Sequence, residues 1–219
     1  MTQMLDYSVI TRNAGFLLDG LVLSLTLTVL GVLGGFAMGT LLILLRTFGG
    51  AIGNRFADIY VFLFRAIPLI LVIFWFYFMV PLILGRPVGA WTSATVAFTL
   101  FEGAYYSEIL RAGLKSVRAG QLNAALASGM SRAQALRYVI LPQAFTAMIP
   151  IFLTQAIILF QDTSLVFVVS LHDFLTATTI IANRDGRLIE AYAFACLIYY
   201  LICLAATSGV EKLKRTLAR

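Results

Sequence analysis

The chain has 219 residues, of which 61% are hydrophobic and only 12% are charged, and its formal net charge at pH 7 is +6. Soluble domains carry roughly 25% charged residues and about half apolar ones, so this composition excludes an ordinary soluble domain. Much of the surface must face lipid. The basic residues lie beside apolar runs, which favours the charge asymmetry of a membrane protein over a nucleic-acid-binding surface.

Apolar runs, taken in chain order, predict an all-α protein with about five transmembrane helices, because a helix needs roughly 20 apolar residues to cross a hydrocarbon core of about 30 Å. The runs cover about residues 20–45, 58–84, 88–102, 143–161 and 191–210. Arg65 interrupts the second run, and Glu102 is the first charge in the third, whose continuation toward Glu108 is left open. The chain is interpreted as one multi-pass membrane domain, residues 1–219.

Basic residues are concentrated on one side of the predicted membrane. They follow the first, third and last runs: Arg46, Arg55, Arg111, Lys115, Arg118, Arg132, Arg137, Lys212, Lys214, Arg215 and Arg219. Segments on the other side mix both signs of charge: Asp6, Arg12, Asp19, Arg86, Asp173, Arg184, Asp185 and Arg187. Because cytoplasmic segments carry the excess of Lys and Arg, the N-terminus is predicted outside and the C-terminus in the cytoplasm.

The longest polar insert runs from Arg111 to Pro142. Within it, Gly120–Gly129 is a helix-forming stretch that ends in a glycine, which predicts a left-handed C-terminal cap. Ser131 and Gln134 have the spacing of a capping box that opens a second helix. The first helix is short and rich in small side chains, which allow another surface to approach closely. We interpret it as a docking element for a partner; a plain helical hairpin is the alternative.

The spacing within this insert resembles the EAA loop of permeases in binding-protein-dependent ABC importers. The matching residues are Asn123, Ala124, Ala125, Gly129, Val139, Leu141 and Pro142. This chain departs from the family pattern at Asn123, usually glutamate, and at Val139, usually isoleucine. The resemblance implies that the loop forms a coupling helix seated in a groove of a separate ATPase. The coupling residues it implies are Asn123, Ala124, Ala125, Ser128, Gly129, Met130 and Ser131.

The resemblance extends over nearly the whole chain. Three motifs look like the polar amino-acid branch of these permeases: Phe64–Leu69, Glu102–Gly113 and Asp162–Leu165. Two further segments, Trp75–Tyr77 and Phe160–Val166, resemble permeases for glutamate and aspartate. Branch members usually carry lysine at the position of Gln161. An acidic amino acid is therefore the expected substrate, with glutamine or a basic amino acid as the alternative.

This family resemblance implies an assembly in the bacterial inner membrane. It consists of two permease subunits of the type I importer architecture, with a heterodimer favoured, two ATPase subunits and an external substrate-binding protein. The chain itself lacks a phosphate-binding loop, which needs Gly-Lys followed by Ser or Thr. Its only lysines are Lys115, Lys212 and Lys214, and none follows a glycine. We predict no enzyme activity and no cofactor in this chain, with ATP and magnesium on the ATPase.

Polar side chains within the apolar runs are candidates for the substrate path, because unpaired charges there are costly and face a cavity or a partner. The candidates are Arg65, Glu102, Asp162, Thr163 and Ser164. Each has a structural alternative. Arg65 could bond backbone carbonyls freed before Pro68 or a neighbouring acid, Glu102 could pair with a cation on another helix, and Asp162 could cap a helix.

Two other classes of function are compatible with an apolar helical protein. A secondary transporter or channel would use the intramembrane acids as ion or proton sites. The small-residue cytoplasmic loop has no purpose in that interpretation. A purely structural membrane subunit would need no polar path, whereas Arg65, Glu102 and Asp162 indicate one.

Overall fold

The computed structural model describes residues 6–217, and all regular structure within that range is helical. The prediction of an all-α protein is therefore confirmed. The helices, in chain order, are α1 Ser8–Arg12, α2 Ala14–Phe48, α3 Gly50–Ala66, α4 Leu69–Phe74, α5 Val80–Leu84, α6 Ala90–Ser116, α7 Ala119–Ala127, α8 Arg132–Ala135, α9 Leu141–Asp162, α10 Phe174–Asp185 and α11 Leu188–Leu217. π-helical turns at Trp75–Met79 and Leu136–Ile140 join α4 to α5 and α8 to α9.

Three continuous helices in the described part of the chain are long and apolar enough to cross a membrane. They are α2, the 38-residue helix Arg132–Val169 and α11. The helix Arg132–Val169 includes α8, α9 and a final 3-10 segment, Thr163–Val169. These three helices contain the first, fourth and fifth predicted runs.

The second predicted run is not one straight helix. α3 and the helix Leu69–Leu84 meet at an angle of 106°, and together they could form a fourth span or a re-entrant segment. The bend has a local cause at Ile67 and Pro68. Proline disfavours the helical conformation in the residue before it, and Ile67 is extended, with φ −109° and ψ 135°. The sequence predicted this run as one span, whose apolar character only Arg65 interrupts, and did not predict the bend.

The third predicted run continues through Glu102 and ends at Ser116 as α6, the central helix of the bundle. α2 approaches α6 closely along Gly31, Gly35 and Gly39, which lie four residues apart on one face. A Cβ atom at Gly39 would lie 2.8 Å from the Ser107 backbone nitrogen. Because α6 is enclosed by other helices, it can carry charges that a lipid-facing helix could not.

The two ends of the bundle carry different elements. One, the α10 end, contains α1, α10 and the start of α11, which pack through Val9, Phe174 and Ile181. The other, the α7 end, contains the last turns of α2 and α6 followed by α7. Gly186 makes the turn between α10 and α11 with φ +65°, a conformation that glycine adopts readily.

Candidate functional site

The helix α7 ends in a complete Schellman motif. The backbone N–H of Met130 donates to Ala125 O at 3.1 Å, and that of Gly129 donates to Leu126 O at 3.0 Å. These bonds satisfy carbonyls that the helix end would otherwise leave free. Gly129 has φ +87°, as the predicted left-handed cap requires.

The next helix begins two residues later with the predicted capping box. The Gln134 backbone N–H donates to Ser131 Oγ at 3.2 Å, and the Ser131 N–H donates to Gln134 Oε1 at 2.8 Å. Both sides of the turn are therefore fixed by hydrogen bonds of the chain itself. α7 packs mainly on this following segment, Arg132–Ile140. It thus projects from the bundle as an ordered helix–turn unit.

Most of the predicted coupling residues are on the surface. The exposed ones are Asn123, Ala124, Ser128, Gly129, Met130 and Ser131. Ala125 is different, because it is only 6% exposed and faces its own chain. Its small side chain therefore serves internal packing, and the surface open to a partner is formed by its neighbours.

Asp162, Thr163 and Ser164 lie where α9 passes into the 3-10 segment. The Thr163 side chain is fully buried and its hydroxyl donates to Phe160 O at 2.7 Å. The partly exposed Ser164 donates to Gln161 O at 2.8 Å. Asp162 makes no side-chain capping bond, because the helix continues past it. The capping alternative for Asp162 is therefore wrong.

The aspartate that does cap a helix is Asp173. Its carboxylate accepts the backbone N–H groups of Leu175 at 3.0 Å and Thr176 at 3.2 Å, at the start of α10. It also bonds the Thr176 hydroxyl. The signal in the sequence is an aspartate directly before an apolar helix, but Asp162 carries nearly the same signal.

Ser164 borders two cavities on the flank of the bundle. One, of about 390 Å³, is lined among others by Gln161, Ser164, Tyr192 and Tyr199. The second, of about 340 Å³, lies between Ser164 and α10. Both have room for a small polar molecule, and hydroxyl and carboxamide groups contribute to their walls.

Glu102 is completely buried inside the bundle. The Gln155 side-chain amide donates to Glu102 Oε1 at 3.1 Å, which joins α6 to α9. Among residues 6–217 no cation forms an ion pair with Glu102, so the structural alternative of a cation on another helix is not found within this chain. Gln155 was not a sequence-based candidate, since nothing in the sequence shows which α9 residue meets Glu102.

Arg65 is half-exposed at the end of α3. It has one aromatic and one acidic neighbour on α6. Its guanidinium carbon lies 5.4 Å from the centre of the Tyr105 ring. Its Nη1 atom lies 3.9 Å from Glu108 Oε2. The structural alternatives for Arg65 were backbone carbonyls near Pro68 and a neighbouring acid. The structure provides the neighbouring acid, Glu108. No hydrogen bond or ion pair in the described range joins Arg65 to Glu102 or Asp162.

Glu108 is the centre of an ion network that the sequence did not single out. Arg46 Nη1 lies 2.7 Å from Glu108 Oε1, and Arg111 binds the same carboxylate. Arg46 also pairs with Asp58 at 2.8 Å. The available signal was only that several charges occur near the ends of neighbouring apolar runs.

A smaller polar cluster closes the α10 end. Arg184 donates to Asp185 at 2.7 Å and to Asn13 Oδ1 at 2.8 Å. The bond from Arg184 holds the pKa of Asp185 below its ordinary value.

His172 is exposed and contacts the Phe16 ring edge-on at 6.0 Å. Within residues 6–217 no group of three or more His, Cys, Asp or Glu could hold a metal ion.

These features together define a class of protein: the helical membrane subunit of a transport system, with an ordered helix–turn unit that projects from the bundle. Residues 31–218 match the family model described as binding-protein-dependent transport system inner membrane component. The chain belongs to this family. The family and the inner-membrane location that the sequence predicted are thereby confirmed.

Two curated relatives are similar in sequence to this chain over almost their full length. The glutamate/aspartate import permease protein GltK of Escherichia coli O157:H7 is 47% identical over 220 residues, which cover 97% of this chain and 98% of the relative. The glutamine transport system permease protein GlnP of Escherichia coli strain K12 is 32% identical over 211 residues, 96% of each chain.

A solved structure has the same fold. A chain from the crystal structure of an amino acid ABC transporter with histidines superposes with a TM-score of 0.91 at 28% identity, covering 98% of this chain and 100% of that chain. The predicted importer-permease fold is confirmed. The number of spans and the orientation in the membrane stay predictions.

Proposed function

We propose that this chain is the transmembrane subunit of an ATP-driven importer for acidic amino acids. The observation that carries this function is the helix α7, exposed, capped at its end and placed between two long helices of the bundle. Such a unit suits the docking of a separate motor subunit. The acidic substrate is supported by the 47% identity to a glutamate/aspartate import permease over nearly the whole of both chains.

The proposed assembly contains this chain, a second and different permease subunit, two ATPase subunits and an external substrate-binding protein. ATP and magnesium bind to the ATPases, and this chain catalyses no reaction. The N-terminus and the α10 end lie outside, while residues 111–142 and the C-terminus lie in the cytoplasm, in accord with the concentration of Lys and Arg there. The whole of residues 1–219 acts as one permease domain.

Coupling is proposed to run through the exposed surface of α7 and its turn. Asn123, Ala124, Ser128, Gly129, Met130 and Ser131 form that surface, and Ala125 supports it from beneath. Small side chains let the ATPase groove approach the helix backbone. Movement of the ATPases would then be transmitted as rigid-body opening and closing of the permease pair.

The substrate path is proposed to pass Asp162, Thr163 and Ser164, with Thr163 supporting the two outward side chains from within. A carboxylate can accept the ammonium group of an amino acid, and hydroxyls can serve its carboxylates. An acidic substrate needs a cation as well, for which Arg65 is this chain's candidate. Glu102 borders the path from inside the bundle.

Reconstitution of the complete complex in proteoliposomes tests the function. We expect uptake of radiolabelled glutamate to require ATP and the loaded binding protein, and excess aspartate to compete. Uptake that survives removal of ATP but stops when ion gradients are collapsed would favour a secondary transporter. ATPase activity that no loaded binding protein stimulates would favour a structural subunit.

Glutamine is the second candidate substrate, because the glutamine permease of Escherichia coli is 32% identical over 96% of the chain. Competition distinguishes the two substrates. If unlabelled glutamine or arginine blocks glutamate uptake better than aspartate does, the acidic assignment fails while the importer assignment stands.

A further inference from the structure

Glu102 and Tyr106 are two buried polar side chains on the same face of α6, since residues four positions apart lie one above the other. Glu102 is 0% exposed and Tyr106 is 1% exposed. Glu102 Oε2 and the Tyr106 hydroxyl are both enclosed without a hydrogen-bond partner. Buried polar groups are nearly always bonded, so this pair needs a physical explanation.

The surroundings of Glu102 are contributed by three helices. A Cβ atom at Gly35 of α2 would lie 2.5 Å from Glu102 Cβ and 3.0 Å from the Tyr106 ring, so α2 presents bare backbone here. α9 presents the Gln155 amide, at 3.1 Å from Oε1. In the described part of the chain, the further charged group that acts on Glu102 is Asp162 of α9, which has the same sign.

We propose that Glu102 is a proton-binding site in the interior of the permease, where burial without a neighbouring cation favours the neutral carboxylic acid. An ionised carboxylate here would be removed from water, would lack a cation and would face the negative charge of Asp162. Proteins avoid such a state by protonation of the group.

The neutral acid fits the bonding that the site offers. A protonated carboxyl has one O–H donor and keeps acceptor capacity on its carbonyl oxygen. In this proposal Oε1 is the carbonyl oxygen, which accepts the Gln155 amide. The proton is then on Oε2, the enclosed oxygen for which the structure shows no hydrogen-bond partner.

The charge state has a consequence for transport, and this consequence alone rests on the proposed function. An acidic amino acid that passes Asp162 carries a net negative charge. An ionised Glu102 nearby would add a second repulsive carboxylate to the interior. The neutral acid keeps α6 joined to α9 without that repulsion.

Infrared spectroscopy of the assembled transporter in lipid nanodiscs at neutral pH tests the proton site. The C=O stretch of a protonated carboxylic acid is separate from the bands of carboxylates. We expect Glu102→Gln to remove one acid band. The matched control is Glu108→Gln, which we expect to remove only carboxylate bands because arginines surround Glu108. Loss of a carboxylate band in Glu102→Gln overturns the proposal.

A second variant keeps the test decisive if Glu102→Gln does not assemble. Gln155→Leu removes the donor to Oε1 and leaves the carboxyl in place, so the acid band should move to higher frequency. A spectrum without that shift contradicts the assignment. Failure of glutamate uptake in the reconstituted importer would refute the proposed function but leave this spectroscopic result unchanged, so the two failures are distinguishable.

Discussion

Arg46 Nη1 donates to Glu108 Oε1 at 2.7 Å, and this contact joins the last turns of α2 to α6. The Arg46 side chain is only 9% exposed, so its charge depends on protein partners rather than on water. Arg65 of α3 and Arg111 approach the same carboxylate. Glu108 is therefore the point at which α2, α3 and α6 are held together electrostatically.

Replacement of Glu108 by glutamine should destabilise the protein, because the largely buried Arg46 would keep only the exposed Asp58 as an ion-pair partner. We expect a loss of about 3 kcal/mol. Thermal unfolding of the purified complex measures it. Asp58→Asn is the control, since Asp58 also pairs with Arg46 but is 57% exposed, and its loss should cost no more than about 1 kcal/mol. Equal losses in both variants would contradict the role of Glu108.

Substitution of Ala124 tests the docking surface. Ala124→Arg puts a long charged side chain on the exposed face of α7, and we expect the ATPase to bind at least about tenfold more weakly, equivalent to about 1.4 kcal/mol. Co-purification of the ATPase with the inserted permease measures this. The same change at Ala14, an exposed alanine at the α10 end, should leave co-purification unaltered. Normal ATPase recovery with Ala124→Arg would exclude docking at this face.

Ala125 is a poorer position for such a test, because it is buried. An arginine there would disturb the packing of α7 on its own chain, and loss of the ATPase could then follow from local unfolding. A variant at Ala125 should therefore lower the thermal stability of the isolated permease, whereas Ala124→Arg should not. Comparison of the two unfolding temperatures separates packing from docking.

Gly129 tests the conformation of the turn. A Cβ atom added there would meet no other atom within 4 Å, so only the positive φ opposes a side chain. Gly129→Ala should cost about 1–2 kcal/mol of local stability, and Gly129→Asn less, because asparagine adopts the left-handed conformation more easily. Stimulation of the ATPase by the loaded binding protein should be strongest with Gly129, weaker in Gly129→Asn and weakest in Gly129→Ala. Indistinguishable stimulation in all three would show that the cap is not needed for coupling.

Asp162→Asn tests the substrate path. The exchange keeps the size of the side chain and removes its charge, so an ammonium contact would be lost and glutamate uptake should fall at least about tenfold, equivalent to about 1.4 kcal/mol. Asp173→Asn is a matched control, because asparagine caps a helix about as well as aspartate. Uptake is compared at equal protein level in proteoliposomes. Near-normal uptake with Asp162→Asn would remove Asp162 from the path.

Single cysteines test the orientation in the membrane. In a variant without Cys196 and Cys203, His172→Cys should react with an impermeant thiol reagent added to intact cells with a permeable outer envelope. Arg132→Cys should react only after the cells are opened. Labelling of position 132 from outside would overturn the predicted orientation.

Local signals in the sequence were reliable where a single stretch of chain decides the outcome. Gly129 forms its left-handed cap, and Ser131 with Gln134 forms its capping box, because both depend only on residues within one turn. Pro68 likewise breaks its helix. The angle of 106° that follows could not be predicted, since it depends on how α3 packs on α6, where the Tyr60 hydroxyl donates to Leu100 O at 2.7 Å.

Features that depend on the register between distant helices were not predictable. The partner of Glu102 is Gln155, which is 53 positions away and is one of several polar residues on the fourth run. The choice between Asp162 and Asp173 as a cap depends on where the helix ends, and an apolar stretch begins within three residues of both. The burial of Ala125 depends on how α7 folds back on the next helix. In each case the missing information is three-dimensional.

The fixed turn at the end of α7 has a mechanical consequence. A flexible loop pushed by a neighbouring subunit would rearrange and dissipate the displacement, and it would also lose conformational entropy each time that it bound. In this protein the hydrogen bonds of Gly129, Met130, Ser131 and Gln134 set the shape of the unit beforehand. Since the chain continues from that turn into the 38-residue helix Arg132–Val169, a shift of α7 would be passed on to a helix that contains Asp162.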